Sequence, residues 1–292
     1  MAKRSNIFNN KINSLRERYY KAIIGKEALI TLINEAEVAE QVYNSNAIEN
    51  STLSLEETEK IILQIDLDRF ITEREIFEAK NLARVVTYIN KKAKEQELDL
   101  QMILSLHKML IANICDDIAG RFRINNEYVR VGSHIAPAPK EIVDRLNRML
   151  ADYNATSYES IINRIARLHL TFEYIHPFVD GNGRIGRVIN NYLLLREGFV
   201  PINIKFIDRK KYYEAFNMFD KQETTTIMEE IVGKALTNSY HKRLAYLEGK
   251  KIVTLVDYAK NNKLSHSNLI NKANRQTIEA FLEKNVWKIG VS

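Results

Sequence analysis

The sequence predicts a mainly α fold: a helical bundle with one small β-hairpin flap, followed by a helix-turn-helix unit of winged-helix type. Three observations carry this. Only 10 Gly and 4 Pro interrupt 292 residues, 45% of them hydrophobic and 27% charged, the profile of an ordered, mostly helical chain. Apolar residues recur at helical spacing through most of the chain, with strand-like alternation confined to one stretch. The final 42 residues then change to short segments with a basic surplus. The expected organisation is an N-terminal helical region over 1–95, a core over 96–248 and a small domain over 249–292.

The elements follow in order. Lys26–Ile48 lacks proline and glycine and carries Leu29, Leu32, Ile33, Ala36, Ala39 and Val42 on a helical stripe. The polar Asn44–Thr52 stretch ends it, and Ser54 with Glu57 forms a capping box opening the next helix. Further helices are predicted over Ile71–Ala93, Asp99–Ile114 and Lys140–Tyr153. Between the last two, alternation across Glu127–Val131, a turn at Gly132 and stops at Pro137 and Pro139 predict a hairpin. So small a ribbon must lie on the helical body. Ser157–Ile175 is a strong helix closed by Pro177, and Asn182–Arg196 is a second, ending at Gly198. Arg209–Phe219 and Thr226–Leu247 complete the bundle. Ile252–Lys260, Ser267–Ala273 and Arg275–Asn285 read as three short helices of the terminal unit. The chain stops at Ile289–Ser292, where a wing hairpin would begin, which is compatible with a longer parent protein.

Composition excludes several classes. No apolar run nears the roughly 20 residues that span a bilayer, and the basic start Met1–Ser5 is not followed by a signal-peptide core. No membrane association is expected. Cys115 is the only cysteine, so no internal disulfide forms and a reducing cytoplasm fits best. Its apolar neighbours make it a small buried residue. A net charge of +6 permits anionic partners without demanding them. His107 and His169, in apolar helices, read as structural, and no His/Asp/Glu spacing suggests zinc.

The sharpest feature is His176-Pro177-Phe178-Val179-Asp180-Gly181-Asn182-Gly183-Arg184-Ile185-Gly186-Arg187. A helix ends, a glycine turn follows and another helix begins. Gly181 and Gly183 allow close backbone approach, and their N–H groups with those of the next helical turn form a concavity suited to phosphate. Arg184 and Arg187, three apart, project from one helix face as anion clamps. Asp180 is a hard oxygen ligand for Mg²⁺, which needs one or two carboxylates beside substrate phosphates. His176 is the one nearby group with an ordinary pKa, about 6.5, that lets it take a proton near neutrality. Together they supply a base, a cation site and clamps for a transferring phosphoryl group.

The stretch resembles the signature of the Fic family, His-Pro-Phe-x-(Asp/Glu)-Gly-Asn-Gly-Arg-x-x-Arg, and every specified position is filled. The resemblance covers about residues 25–245. It implies a Fic-type helical bundle and transfer of AMP from ATP to a Tyr, Thr or Ser hydroxyl of a protein, self-modification included. His176 would deprotonate the hydroxyl and Asp180 hold Mg²⁺. Gly181, Asn182, Gly183, Arg184, Gly186 and Arg187 would bind the ATP phosphates, with Arg187 at the γ-phosphate. Kinase-like relatives place lysine at the second loop glycine, and phosphocholine-transferring ones depart at the first; here these are Gly183 and Gly181.

By the same resemblance, Arg123–Pro139 is a flap that pairs with the target backbone through Val129, Arg130, Val131 and Gly132, with His134 bordering the nucleotide. Tyr212 and Tyr213 fall where the family has a tyrosine-bearing helix near the base. Ser45-Asn46-Ala47-Ile48-Glu49-Asn50 resembles the inhibitory motif (Ser/Thr)-x-x-x-Glu-(Gly/Asn), so Ser45, Glu49 and Asn50 form an inhibitory element and Glu49 pairs with Arg187 against the γ-phosphate. In some relatives that glutamate positions water to remove AMP from the target, a second activity to test. Relatives also suggest a homodimer by analogy. The terminal unit carries seven Lys/Arg against three Asp/Glu from Lys251 onward, and Arg275, Gln276 and Lys284 are its candidates for DNA contact. The rival reading is a DNA-binding regulator whose loop senses a nucleotide. His176 argues against it, because sensing needs no base.

Overall fold

A computed structural model of the chain describes residues 2–131 and 134–291. Its residues pack into two compact units. The larger comprises Val38–Phe199 and Ile204–Glu230; the other takes the residues before Val38, Val200–Asn203 and Ile231 onward.

The larger unit is helical. It contains the second half of α2 (Glu27–Ile48), then α3 (Leu55–Leu63), α4 (Glu73–Lys92) and α5 (Leu100–Ile111). After these come α6 (Ile142–Ala155), α7 (Ile161–Ile175), α8 (Asn182–Arg196) and α9 (Arg209–Gln222). Boundaries follow local chemistry. Ser54 accepts from the Glu57 amide at 3.1 Å while Glu57 accepts from the Ser54 amide at 2.8 Å, the expected capping box. Thr72, Asp99 and Ser160 cap α4, α5 and α7 with side chains that accept from the amides of Glu75, Met102 and Asn163. The Ser160 cap explains why α7 begins after the Ser157 start that periodicity suggests.

Helix α8 is the axis of this unit. Arg184 through Leu194 are all buried, polar residues included, so it packs on every side, with α7, α4 and α5 among its neighbours. The flap is a two-strand ribbon, β1 (Arg130–Val131) and β2 (His134–Ile135), antiparallel with Arg130 opposite Ile135 and Val131 opposite His134. Gly132 lies outside the described residues. Cys115 is exposed beyond the end of α5, not buried: α5 stops at Ile111, and Cys115 falls in the following loop.

The other unit contains α1 (Ala2–Ala22), the start of α2, most of α10 (Thr226–Leu247) and a βααββ segment. That segment runs β3 (Lys251–Thr254), α11 (Leu255–Asn261), α12 (His266–Asn274), β4 (Ala280–Glu283) and β5 (Val286–Val291). The sheet order is β3-β5-β4, both pairs antiparallel. Leu255, Ala259, Leu269, Ala273 and Ala280 form its core, with Trp287 and Ile289 packed against them. Two expectations are corrected. Arg275–Asn285 is not a helix: Gln276 is left-handed and the chain then enters β4. Burial of Ala280, Phe281 and Glu283 hides the strand's alternation from the sequence. The second is the position of the hairpin: β4 and β5 pair across a turn at Lys284 and Asn285 with φ of 49° and 62°, the signs a tight hairpin turn requires, so it does not begin at Ile289. Among the described residues no helix is long and apolar enough to cross a membrane.

Candidate functional site

The loop between α7 and α8 is built by a few specific contacts. His176 caps α7 in the left-handed region, φ 48° and ψ 61°, and Pro177 cannot continue the helix. Gly181, at φ +83°, opens α8; a Cβ there would also stand 3.1 Å from Ile111 Cδ1. Asn182 clasps the loop, its Oδ1 accepting from the Phe178 amide and its Nδ2 donating to the Phe178 carbonyl, both at 2.8 Å. Its side chain is therefore committed, and what Asn182 offers an anion is its backbone N–H at the first turn of α8.

Two residues outside the signature hold this loop. His107 stacks on Phe178 with ring centroids 3.7 Å apart. It accepts from the Gly120 amide at Nδ1, so Nε2 carries the proton and donates to the Asp180 carbonyl, each at 3.0 Å. Arg123, buried, donates to the carbonyls of His176 at 2.8 Å, Glu127 at 2.8 Å and Pro137 at 2.9 Å, fastening both roots of the flap to the loop.

Burial lowers the His176 pKa to about 4, the Glu173 carbonyl opposing weakly, so the imidazole is neutral near pH 7. Its Nδ1 is buried, 3.8 Å from Glu173 Oε2, and the ring lines a cavity. Glu173 is itself pushed up to about 8 by burial, with Glu49 adding to the effect, and so is a neutral acid at pH 7.

The two arginines of α8 take different neighbours. Arg187 donates from Nε to Ser45 Oγ at 2.9 Å, and from Nη2 to the Ser45 carbonyl and Glu49 Oε1, both at 2.8 Å. Its Nη1 meets Tyr212 Oη at 3.1 Å, and that hydroxyl meets His169 Nε2 at 2.7 Å. Arg184, also buried, bonds Glu78 Oε1 and Asp180 Oδ1, both at 3.1 Å. The single anion-facing surface expected from their spacing is thus divided between α2 and α4. Burial raises the Asp180 pKa, but Arg184, Arg74 and the Gly181 amide together outweigh it and hold the carboxylate below its usual value.

Gly183 faces Glu49: a Cβ would lie 2.2 Å from Glu49 Oε1. Gly186 faces α7 instead, where a Cβ would lie 2.5 Å from Glu173 Oε1 and 3.0 Å from His169 Cε1. Close packing of α7 on α8, rather than anion contact, accounts for glycine there. A cavity of about 340 Å³ opens beside these groups, lined by Glu49, His134, His176, Gly183, Tyr212 and Tyr213 among others. Val131 also lines it, while Arg130 is exposed and Val129 partly so. His134 reaches the Tyr174 carbonyl at 2.8 Å and Asp220 at 3.2 Å. Asn50 follows in the left-handed region and accepts from Arg209 at 2.5 Å.

The structure thus gathers His176, Gly183 and Arg187 with Ser45 and Glu49, 127 or more residues earlier, while Asp180 meets Arg74, Arg184 and His107 instead. The sequence reading missed Arg74, Glu78, Arg123 and Glu173. Arg74 and Glu78 are an i,i+4 pair like any on a solvated helix face, and nothing local marks them. His169–Glu173 has the same spacing inside an apolar helix, a weak signal that was available.

Comparison with known proteins points to one family. Residues 97–194 match the model of the Fic/DOC family. A curated relative from Nematostella vectensis, named protein adenylyltransferase Fic, is 31% identical over 216 residues, covering 71% of this chain and 49% of its own length. One of the same name from Drosophila willistoni is 31% identical over 219 residues, covering 69% and 43%. The chain therefore spans about half the length of the curated relatives it matches. A Fic-domain signalling protein from Bacteroides thetaiotaomicron superposes with TM-score 0.73 at 22% identity, over 82% of this chain and 97% of that one. A fragment of Fic-1 from C. elegans gives 0.70 at 22% identity, over 85% and 74%. The chain carries a Fic domain and belongs to the Fic family.

Proposed function

We propose that the chain transfers AMP from ATP to a Tyr, Thr or Ser hydroxyl of a protein and rests in a state held off by Glu49. One observation carries the reading: a neutral His176 faces the same cavity as Gly183, at the amide-rich start of α8, and as the Glu49 that occupies Arg187. An inert turn needs neither the base nor the paired arginine. The names of the curated relatives point to the same chemistry.

In the reaction, the target hydroxyl loses its proton to His176 Nε2 as its oxygen attacks the α-phosphorus of ATP. A new P–O bond forms, the bond from the α-phosphorus to the bridging α–β oxygen breaks, and pyrophosphate leaves. The N–H groups of Asn182 and Gly183 stabilise charge on the phosphoryl oxygens. Arg187, once free of Glu49, meets the γ end. The hydrophobic part of the cavity, with Tyr213 and Phe216, takes the base. The flap edge at Val129–Val131 pairs with target backbone. Asp180 suits Mg²⁺: it is an ionised carboxylate at a phosphate-binding turn, and Mg²⁺ requires few protein oxygens when phosphates supply others. When bound there it would neutralise charge on the departing pyrophosphate.

Incubation with α-³²P-ATP and, separately, γ-³²P-ATP tests the reading. Label should enter protein from the α position only, more strongly in Glu49→Gly and not at all in His176→Ala. Label from the γ position alone would replace AMP transfer with phosphate transfer.

The terminal unit supports a secondary proposal, contact with duplex DNA. Its βααββ order places α12 as an exposed helix bearing Ser267, Asn271 and Lys272 and no acidic residue, with Arg275 at its end. Gln276 is withdrawn from this set because it is buried. Binding to duplex DNA that weakens as salt rises supports the proposal; no binding at low salt removes it.

A further inference from the structure

Asp180 is doubly held, and its two oxygens differ. Oδ1 accepts from the Gly181 amide at 2.6 Å and from Arg184 at 3.1 Å. Both donors belong to the rigid start of α8, and the Arg184 side chain is only 4% exposed. Oδ2 accepts from Arg74 Nη2 at 2.6 Å, and the Arg74 side chain is 59% exposed. The oxygen that a divalent cation can reach is therefore the one Arg74 occupies.

Two cations on one carboxylate oxygen compete. Mg²⁺ requires its oxygen ligands at roughly 2.0–2.1 Å, and a guanidinium on the same atom must yield both for space and for charge. Arg74 has somewhere to go. Its Nε already lies 3.1 Å from Glu78 Oε1, the carboxylate that also receives Arg184 Nη1 at 3.1 Å. The four side chains form a closed ring of alternating charge, Arg74–Asp180–Arg184–Glu78, with Arg74 its solvent-facing member. The backbone at Arg74 is held by the first turn of α4, capped by Thr72 and tied by Glu75 Oε1 to the Thr52 amide at 3.0 Å and hydroxyl at 2.7 Å, so displacement of Arg74 falls to its exposed side chain.

We propose that Arg74 is a cation gate. It holds the outward oxygen of Asp180 until nucleotide phosphates offer its guanidinium a replacement anion, making divalent-cation binding conditional on nucleotide. The inference rests on reading Asp180 as the metal-holding carboxylate. Without nucleotide, a cation must displace Arg74 from Asp180 and leave it only Glu78, which Arg184 already shares. With nucleotide, the freed guanidinium bonds a phosphate, for which its planar fork is suited.

Mn²⁺ serves as the probe, with free ion counted by electron paramagnetic resonance for wild type, Arg74→Gln, Arg74→Lys and Asp180→Asn. Each is measured alone and with α,β-methylene-ATP, in which the bond to be broken is blocked. Without nucleotide, Arg74→Gln should bind Mn²⁺ about three- to fivefold more tightly than wild type, the scale of one partly exposed ion pair. Arg74→Lys should remain near wild type, because it keeps the charge. With the analogue the advantage of Arg74→Gln should vanish or reverse. Equal or weaker Mn²⁺ affinity in Arg74→Gln without nucleotide overturns the gate, and an advantage undiminished by the analogue overturns its dependence on nucleotide. Asp180→Asn separates the two readings: loss of Mn²⁺ binding supports the metal-holding role whatever Arg74 does, whereas wild-type affinity would refute that role itself.

Discussion

The Glu49 carboxylate fits against the start of α8 only because residue 183 has no side chain: a Cβ on Gly183 would lie 2.2 Å from Glu49 Oε1. The glycine that lets a phosphate approach the backbone also makes room for the carboxylate that bonds Arg187 at 2.8 Å. One small residue thus serves two competing occupants, and the first prediction follows from it. Gly183→Ala should push Glu49 off Arg187, since the flexible carboxylate yields before the backbone does. In wild type, Glu49→Gln should cost about 1 kcal/mol, screened on the open side of Glu49 but bonded to a buried arginine. In the Gly183→Ala background that cost should largely disappear. Denaturant unfolding of the four proteins measures the coupling; an unchanged cost would place the two residues out of contact in solution.

Removing Glu49 should raise AMP transfer. Competition worth about 1 kcal/mol for Arg187 corresponds to roughly a fivefold change in rate. Glu49→Gly should therefore label at least that much faster than wild type under limiting ATP. Ser45 and Tyr212 keep Arg187 positioned through bonds of 2.9 Å and 3.1 Å. Equal initial rates would remove the inhibitory reading.

The pH profile tests the state of His176. Burial holds its pKa down to about 4. A general base works unprotonated, and protons occupy it only below its pKa. Transfer by Glu49→Gly should accordingly be flat from pH 8 to about pH 5.5 in any limb assigned to this group and decline only below about pH 5. Glu49 raises this pKa slightly, so its loss moves the limb further down. A half-maximal point near 6.5 would mean an unshifted imidazole.

Stability should respond to acid for the same reason. Burial lowers His107, His176 and His241 to about 4 and His169 to about 3. The unfolded chain therefore binds these protons first, near 6.5, so their stabilising contribution is complete above pH 6.5 and is lost as pH falls through about 4. Glu173 runs the other way. Raised to about 8, it favours the fold below its unfolded pKa near 4.5 and loses that contribution as pH climbs through 8. Urea midpoints should fall clearly from pH 6.5 to 5 and only slightly from 6.5 to 8. A midpoint that rises on acidification would contradict burial of neutral histidines.

Asn182→Ala should damage the loop itself. It strands the Phe178 N–H and carbonyl, both bonded at 2.8 Å, in a buried site. The expected loss is about 2–3 kcal/mol in unfolding free energy, with weakened ATP binding. Asn182→Asp should recover the bond to the amide but not the one to the carbonyl, giving an intermediate loss.

Much of this was legible in the chain alone. Stripes of apolar residues at helical spacing, with caps such as Ser54 and Pro177 as a stop, placed α2 through α10 to within a few residues, because helices report their period locally. The loop from His176 to Arg187 was legible for the same reason: its turn, its glycines and the helix start are all local. The terminal segment was not, since a strand buried on both faces, as at Ala280–Phe281, loses the alternation that distinguishes it from a helix.

Tertiary structure alone decided the rest. Nothing near Arg184 in sequence says that it faces Glu78, while Arg187, three residues on, faces Ser45 and Glu49. Nothing near Arg74 says that it sits on Asp180, 106 residues away. The depressed His176 pKa likewise comes from burial under distant elements. Local sequence sets backbone geometry through steric and hydrogen-bonding rules that act over a few residues. Charge pairing and desolvation depend on which remote surfaces close over a group, and only the folded chain settles that.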